Sequence, residues 1–171
     1  FSPGTPSQEI INTVVSKNGA TFLAHPLLRN IPWTNFNVIN YTGLELWNAG
    51  TDVLDGVNPI DIGPALFSTS SLLTGPVEQE FAFYDDLCMK SKTVAIGSMD
   101  AHVFYKNGNF SFPSYEDYFN AIRTTVILKS PLSGNAEDDI KAIVSALKYG
   151  NCYISNEKYR SSKGFSFMLK K

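Results

Sequence analysis

Short apolar runs alternate along this chain with stretches of helical period, and that alternation narrows the folds open to it. The runs Ala20–Ala24, Thr42–Asn48, Thr93–Ile96, Thr124–Leu128, Cys152–Ser155 and Phe165–Leu169 read as strands. Between them, Ile10, Ile11, Val14 and Val15 recur on one helical face behind Pro6, and Val77, Phe81, Tyr84, Leu87 and Cys88 do so behind Pro76. Ser114 opens a third helix that buries Tyr118, Phe119 and Ile122. Asn135 caps a fourth, with the stripe Ile140, Ile143, Val144 and Leu147. Two stretches break the rhythm: residues 49–74, rich in Gly, Pro, Asp and Asn, and residues 103–113, a loop. Strands alternating with helices predict an α/β architecture with a mainly parallel sheet.

Length and composition bound the rest. A chain of 171 residues fits one domain. A net charge of -2 argues against a general polyanion binder, although a local basic patch would survive that average. Cys88 and Cys152 form no framework and no CxxC pair, so both are expected as reduced, buried thiols. No run reaches the ~18 consecutive apolar residues of a membrane span, and no signal-peptide pattern opens the chain, so the expectation is a cytoplasmic protein with no membrane partner.

Chemistry gathers at the ends of the strands. Both histidines lie just past an apolar run: His25 after Phe22-Leu23-Ala24, and His102 after Thr93-Val94-Ala95-Ile96 and Gly97-Ser98-Met99-Asp100-Ala101. Asn48 closes a third run. In parallel α/β folds, sites sit at the carboxyl ends of strands. Asp100 and His102 are two residues apart, so on a continuing strand both point to one side and could share an ion. Such an ion would lower the pKa of a bound water toward ~7 and make a hydroxide nucleophile. Glu45 lies inside an apolar strand, opposite in face to Leu44 and Leu46, and is either part of the site or part of an ordinary polar face. Arg29 and Lys106 are loop cations able to hold a phosphate.

The order of Phe22-Leu23-Ala24-His25-Pro26, Gly43-Leu44-Glu45-Leu46-Trp47-Asn48 and Gly97-Ser98-Met99-Asp100-Ala101-His102 resembles the later motifs of the PHP (polymerase and histidinol phosphatase) family, with Met99 inserted in the last. The resemblance implies the C-terminal part of a distorted (β/α)7 TIM-like barrel. It also implies up to three divalent ions (Zn, Mn or Fe) at the strand ends, and a small phosphorylated substrate or a nucleic-acid end. His25, Asp100 and His102 would be metal ligands, Asp100 and His102 catalytic as well; Glu45 would be a less secure ligand and Arg29 a phosphate contact. Family members open with an HxH motif that is absent here, so residues 1–171 would be one domain lacking its N-terminal part. The functional expectation is a metal-dependent phosphoesterase. The alternatives are a non-catalytic binding or structural module with a degenerate metal site, and an amidohydrolase-like metal hydrolase.

Overall fold

The computed structural model describes residues 1–28, 32–56, 73–102, 105–108, 110–112 and 114–167. Three parallel strands, β1 (Phe22–Leu23), β2 (Gly43–Asn48) and β3 (Val94–Ser98), form a sheet in the order β1-β2-β3. Helix α1 (Ser7–Ser16) precedes β1, α2 (Ala49–Gly56) follows β2 directly, and α3 (Glu78–Lys90) leads into β3. A short hairpin, β4 (Tyr105–Asn107) with β5 (Phe110–Phe112), then leads to α4 (Tyr115–Phe119). Strand β6 (Ile122–Val126), helix α5 (Ala136–Lys148) and strand β7 (Cys152–Asn156) close the order, with β6 and β7 paired antiparallel.

Alternation along β2 divides the core. Leu44 and Leu46 pack with Ile11, Leu23 and Val38, joined by Phe83, Tyr84 and Leu87 of α3. Trp47 faces the opposite cluster, built on Ala49, Leu73, Tyr118, Ala121 and Ile122. Ile154 of β7 touches both clusters and ties the antiparallel pair to the parallel sheet. Burial on both faces is the reason β2 reads as a nearly continuous apolar run.

The architecture corrects the barrel expectation, and with it the PHP resemblance. The described residues form a mixed α/β fold of small open sheets, and no closed (β/α)7 TIM-like barrel runs through them. Strand β3 ends its ladder at β2, and the next pair, β6–β7, runs antiparallel beside it as a sheet of its own. Side chains close this seam. The Gly97 amide donates to Thr124 Oγ1 at 2.8 Å, and the same hydroxyl donates to the Gly97 carbonyl at 2.7 Å. A side chain occupying the backbone groups of β3 leaves them unable to continue a ladder.

Local expectations fare unevenly. Asn135 caps α5, its side-chain oxygen accepting from the Glu137 and Asp138 amides. The stretch after Asn48, expected to be irregular, starts as α2. Lys106 lies on β4 rather than in a loop. Cys88 is exposed and Cys152 half-buried, which corrects the expectation for Cys88. Helix α3 buries no residue fully: Val77 and Phe81, expected in its core face, are 49% and 46% exposed. No strand forms over residues 165–167; Leu169 lies outside the described residues. Among the described residues, no helix is long and apolar enough to cross a membrane.

Candidate functional site

Glu45 is the centre of the strand-end chemistry. Its residue is 8% exposed, and both carboxylate oxygens accept from protein donors. Oε2 takes the backbone amide of His25 at 2.7 Å and Asn48 Nδ2 at 3.0 Å, while Oε1 takes the Ser98 hydroxyl. One carboxylate thus ties the exit of β1 to the interior of β2 and the last residue of β3. A buried charge is tolerated on these terms, with hydrogen bonds replacing its lost water.

Asn48 extends the chain of bonds. Its Nδ2 also reaches Asp100 Oδ2 at 3.2 Å, and its Oδ1 accepts the Thr51 amide at 2.8 Å, which fixes the first turn of α2. Asp100 Oδ1 then lies 3.0 Å from His102 Nε2. The pair opens outward, with side-chain exposures of 34% for Asp100 and 64% for His102. His25 and Asp100 both hold positive φ, +30° and +41°, a conformation that non-glycine residues adopt at a cost of ~1–3 kcal/mol where their surroundings fix them. The Glu45 and Asn48 bonds supply that fixing.

The expected residues therefore converge, but in different roles. His25 contributes its backbone amide to the network; its ring Nδ1 is buried without a partner. Both oxygens of Glu45 accept from protein donors, two bonds at Oε2 and one at Oε1. Asp100 and His102 contact each other directly. Arg29, expected to bind phosphate, lies outside the described residues. Among the described residues, no three of the His, Cys, Asp and Glu side chains are grouped so that they could hold a metal ion, which corrects the metal-binding expectation. Glu45, Asp100 and His102 sit along a line of hydrogen bonds through Asn48 and are not gathered around one point.

Sequence reasoning placed Ser98 at this strand end without giving it a role, and did not assign Thr51 or Tyr118 to this end of the sheet. Ser98 was legible in principle, since it ends β3 and faces a carboxylate one strand away. Tyr118 carried no such signal, because its place depends on how α4 packs. The residue is 2% exposed, and its hydroxyl has no hydrogen-bond partner of good geometry. Burial first, and the Asp100 charge second, push its ionisation up to about 12.

A pH dependence follows from that shift. Unfolding returns the phenol to its ordinary value near ~10, so the unfolded chain releases its proton first. The stabilisation is complete below about 10 and is lost as pH rises toward about 12. Tyr84 is also pushed up to about 12, first by burial and then by its contact with Cys88, so it loses stability over the same range. Tyr118→Phe is expected to change stability by no more than ~1 kcal/mol in either direction at pH 7, because the buried hydroxyl that it removes makes only a poorly aligned contact with the His102 backbone. The variant should also lose less melting temperature than the parent between neutral and strongly alkaline pH. Equal alkaline losses in the two proteins would refute this account of Tyr118.

The chain matches no protein-family model, no curated protein and no solved structure. What fold and site define together is a small mixed α/β protein with a polar network at the carboxyl ends of three parallel strands.

Proposed function

We propose that this chain is a non-catalytic binding or structural module, in which the strand-end network holds three chain segments in fixed relation. The supporting observation is how Glu45 is used: both its oxygens accept from protein donors, and those donors come from three separate strand ends. A carboxylate so engaged is a poor general base and a poor metal ligand, because either role requires it to give up bonds that it needs while buried. Asp100 and His102 form the exposed outer part of the same network, and their surface is where a ligand would meet the module.

The test adds metal to the protein and to the double variant His25→Ala/His102→Ala. A module of this kind shows a melting temperature that Zn or Mn moves by no more than about 1 °C, equally in parent and double variant, which is within the shift expected of ~0.5 kcal/mol. It releases no phosphate from a general phosphomonoester with either metal. A metal-induced rise of several degrees that disappears in the double variant would overturn the proposal in favour of a metal hydrolase.

A further inference from the structure

Charge is distributed unevenly along this chain. Residues 158–171 carry five of its 14 Lys and Arg and none of its 16 Asp and Glu. The other residues hold nine bases against 16 acids, so a net charge of -2 conceals a strongly basic stretch in an acidic body. Apolar residues are interleaved with those five cations: Tyr159, Phe165, Phe167, Met168 and Leu169. Tyr159, Phe165 and Phe167 are each more than half exposed. Single exposed rings are ordinary, but three within one short basic stretch mark a contact face. The stretch is anchored where it leaves β7. Glu157 accepts the Ser155 hydroxyl at 2.7 Å, the Ser162 amide at 3.2 Å and the Ser162 hydroxyl. The Tyr153 hydroxyl donates to the Ser162 carbonyl at 3.2 Å, and its ring centroid lies 5.1 Å from that of Phe165. The acid bordering the stretch is thus engaged in holding the turn, from which Arg160 and Lys163 stand exposed.

We propose that this stretch is a docking surface for an anionic lipid bilayer: Lys158, Arg160 and Lys163 meet the headgroups, and Phe165 and Phe167 enter the interface with the acyl chains. It uses none of the strand-end residues and so stands beside the function proposed above. The charge match is to a polyanion, and two features favour a bilayer over a nucleic-acid strand. The run Phe165-Ser166-Phe167-Met168-Leu169 is apolar at four of five positions, with Lys163 before it and Lys170-Lys171 after it. Aromatic and aliphatic side chains both partition into a membrane interface, whereas Met168 and Leu169 offer bases no ring to stack on. Four of the five cations are Lys, a point charge suited to headgroups; Arg, which stacks on bases, occurs once. The expectation of no membrane partner rests on the lack of a spanning run, which bears on crossing a bilayer and not on lying against one.

Co-sedimentation of the whole chain with phosphatidylcholine vesicles, with and without about 30% phosphatidylserine, tests this. The chain should bind the phosphatidylserine vesicles at least about tenfold more tightly, and lose that preference as NaCl rises from about 50 to about 500 mM. Lys163→Glu should weaken binding at least about fivefold. Lys129→Glu makes the same charge change beyond the opposite end of the β6–β7 pair, and should weaken it by less than about twofold. Phe167→Ser keeps every charge and should still weaken binding at least about threefold, because a ring no longer enters the interface. All three side chains are exposed, so none of these changes disturbs the core. A chain that binds neither vesicle, binds both alike, or is indifferent to Phe167→Ser would overturn the inference, as would equal losses from Lys163→Glu and Lys129→Glu. Saturable binding of a single-stranded oligothymidylate at a salt concentration where the phosphatidylserine vesicles are not bound would assign the stretch to nucleic acid instead.

Discussion

Glu45→Ala is expected to lower the stability of the fold by ~3–5 kcal/mol, the loss that follows when a buried charged acceptor is removed from several donors. The donors are the His25 amide, Asn48 Nδ2 and Ser98 Oγ. Hydrogen bonds to a charged group contribute ~1.5–3 kcal/mol each, and relief from burying the carboxylate offsets part of their sum. For a chain of this size the corresponding drop in melting temperature is ~6–20 °C. Asp100→Ala should cost about 1 kcal/mol or less, because Asp100 is partly exposed and water can replace it. Urea titrations of the two variants measure both quantities. A Glu45→Ala variant within 1 kcal/mol of the parent, or an Asp100→Ala variant that loses as much as Glu45→Ala, would show that the network does not hold the strand ends.

That ranking separates what the sequence could and could not convey. Apolar runs ending in His25, Asn48 and Asp100 were legible as strands that deliver polar groups, because burial and turn chemistry act within a few residues. Leu44 and Leu46 opposite Glu45 and Trp47 could be read from alternation alone. What alternation cannot encode is pairing partner and direction. Ile122–Val126 and Cys152–Asn156 look like further parallel strands in a linear reading, yet they pair with each other antiparallel across helix α5. Barrel closure rests on such long-range choices, and the local motifs around His25, Glu45 and Asp100 read the same in an open sheet. The same limit applies to roles. Alternation left Glu45 open between the site and a polar face, and only the PHP resemblance set it with His25; whether a carboxylate faces an imidazole ring or a backbone amide depends on φ at His25, a tertiary outcome. Tyr118 illustrates the far end of this scale, since nothing around it in sequence points to Asp100.

Gly43→Ala should be at least as damaging as any loss from the network, and for a purely steric reason. Gly43 begins β2 and pairs with Val94 of β3. A Cβ at Gly43 would lie 1.8 Å from the Val94 carbonyl oxygen and 2.6 Å from its carbonyl carbon. Both contacts are to backbone, so no rotamer change can relieve them, and the strands must separate where they begin to pair. Overpacking in well-formed interiors costs ~1–3 kcal/mol and occasionally more; a clash with backbone belongs at or beyond the top of that range. Gly134→Ala is the fitting control. Gly134 sits at φ +83° with nothing within 4 Å of its Cβ position, so it incurs only the left-handed strain of ~1 kcal/mol. Separation of β2 from β3 also moves Glu45, two residues along β2, away from Ser98. Gly43→Ala should therefore loosen the strand-end network as well as the sheet. In hydrogen exchange, the His25 amide, which donates to Glu45, should lose protection in Gly43→Ala but keep it in Gly134→Ala. Equal melting temperatures for Gly43→Ala and Gly134→Ala would mean that β2 and β3 do not approach as closely as the glycine requires.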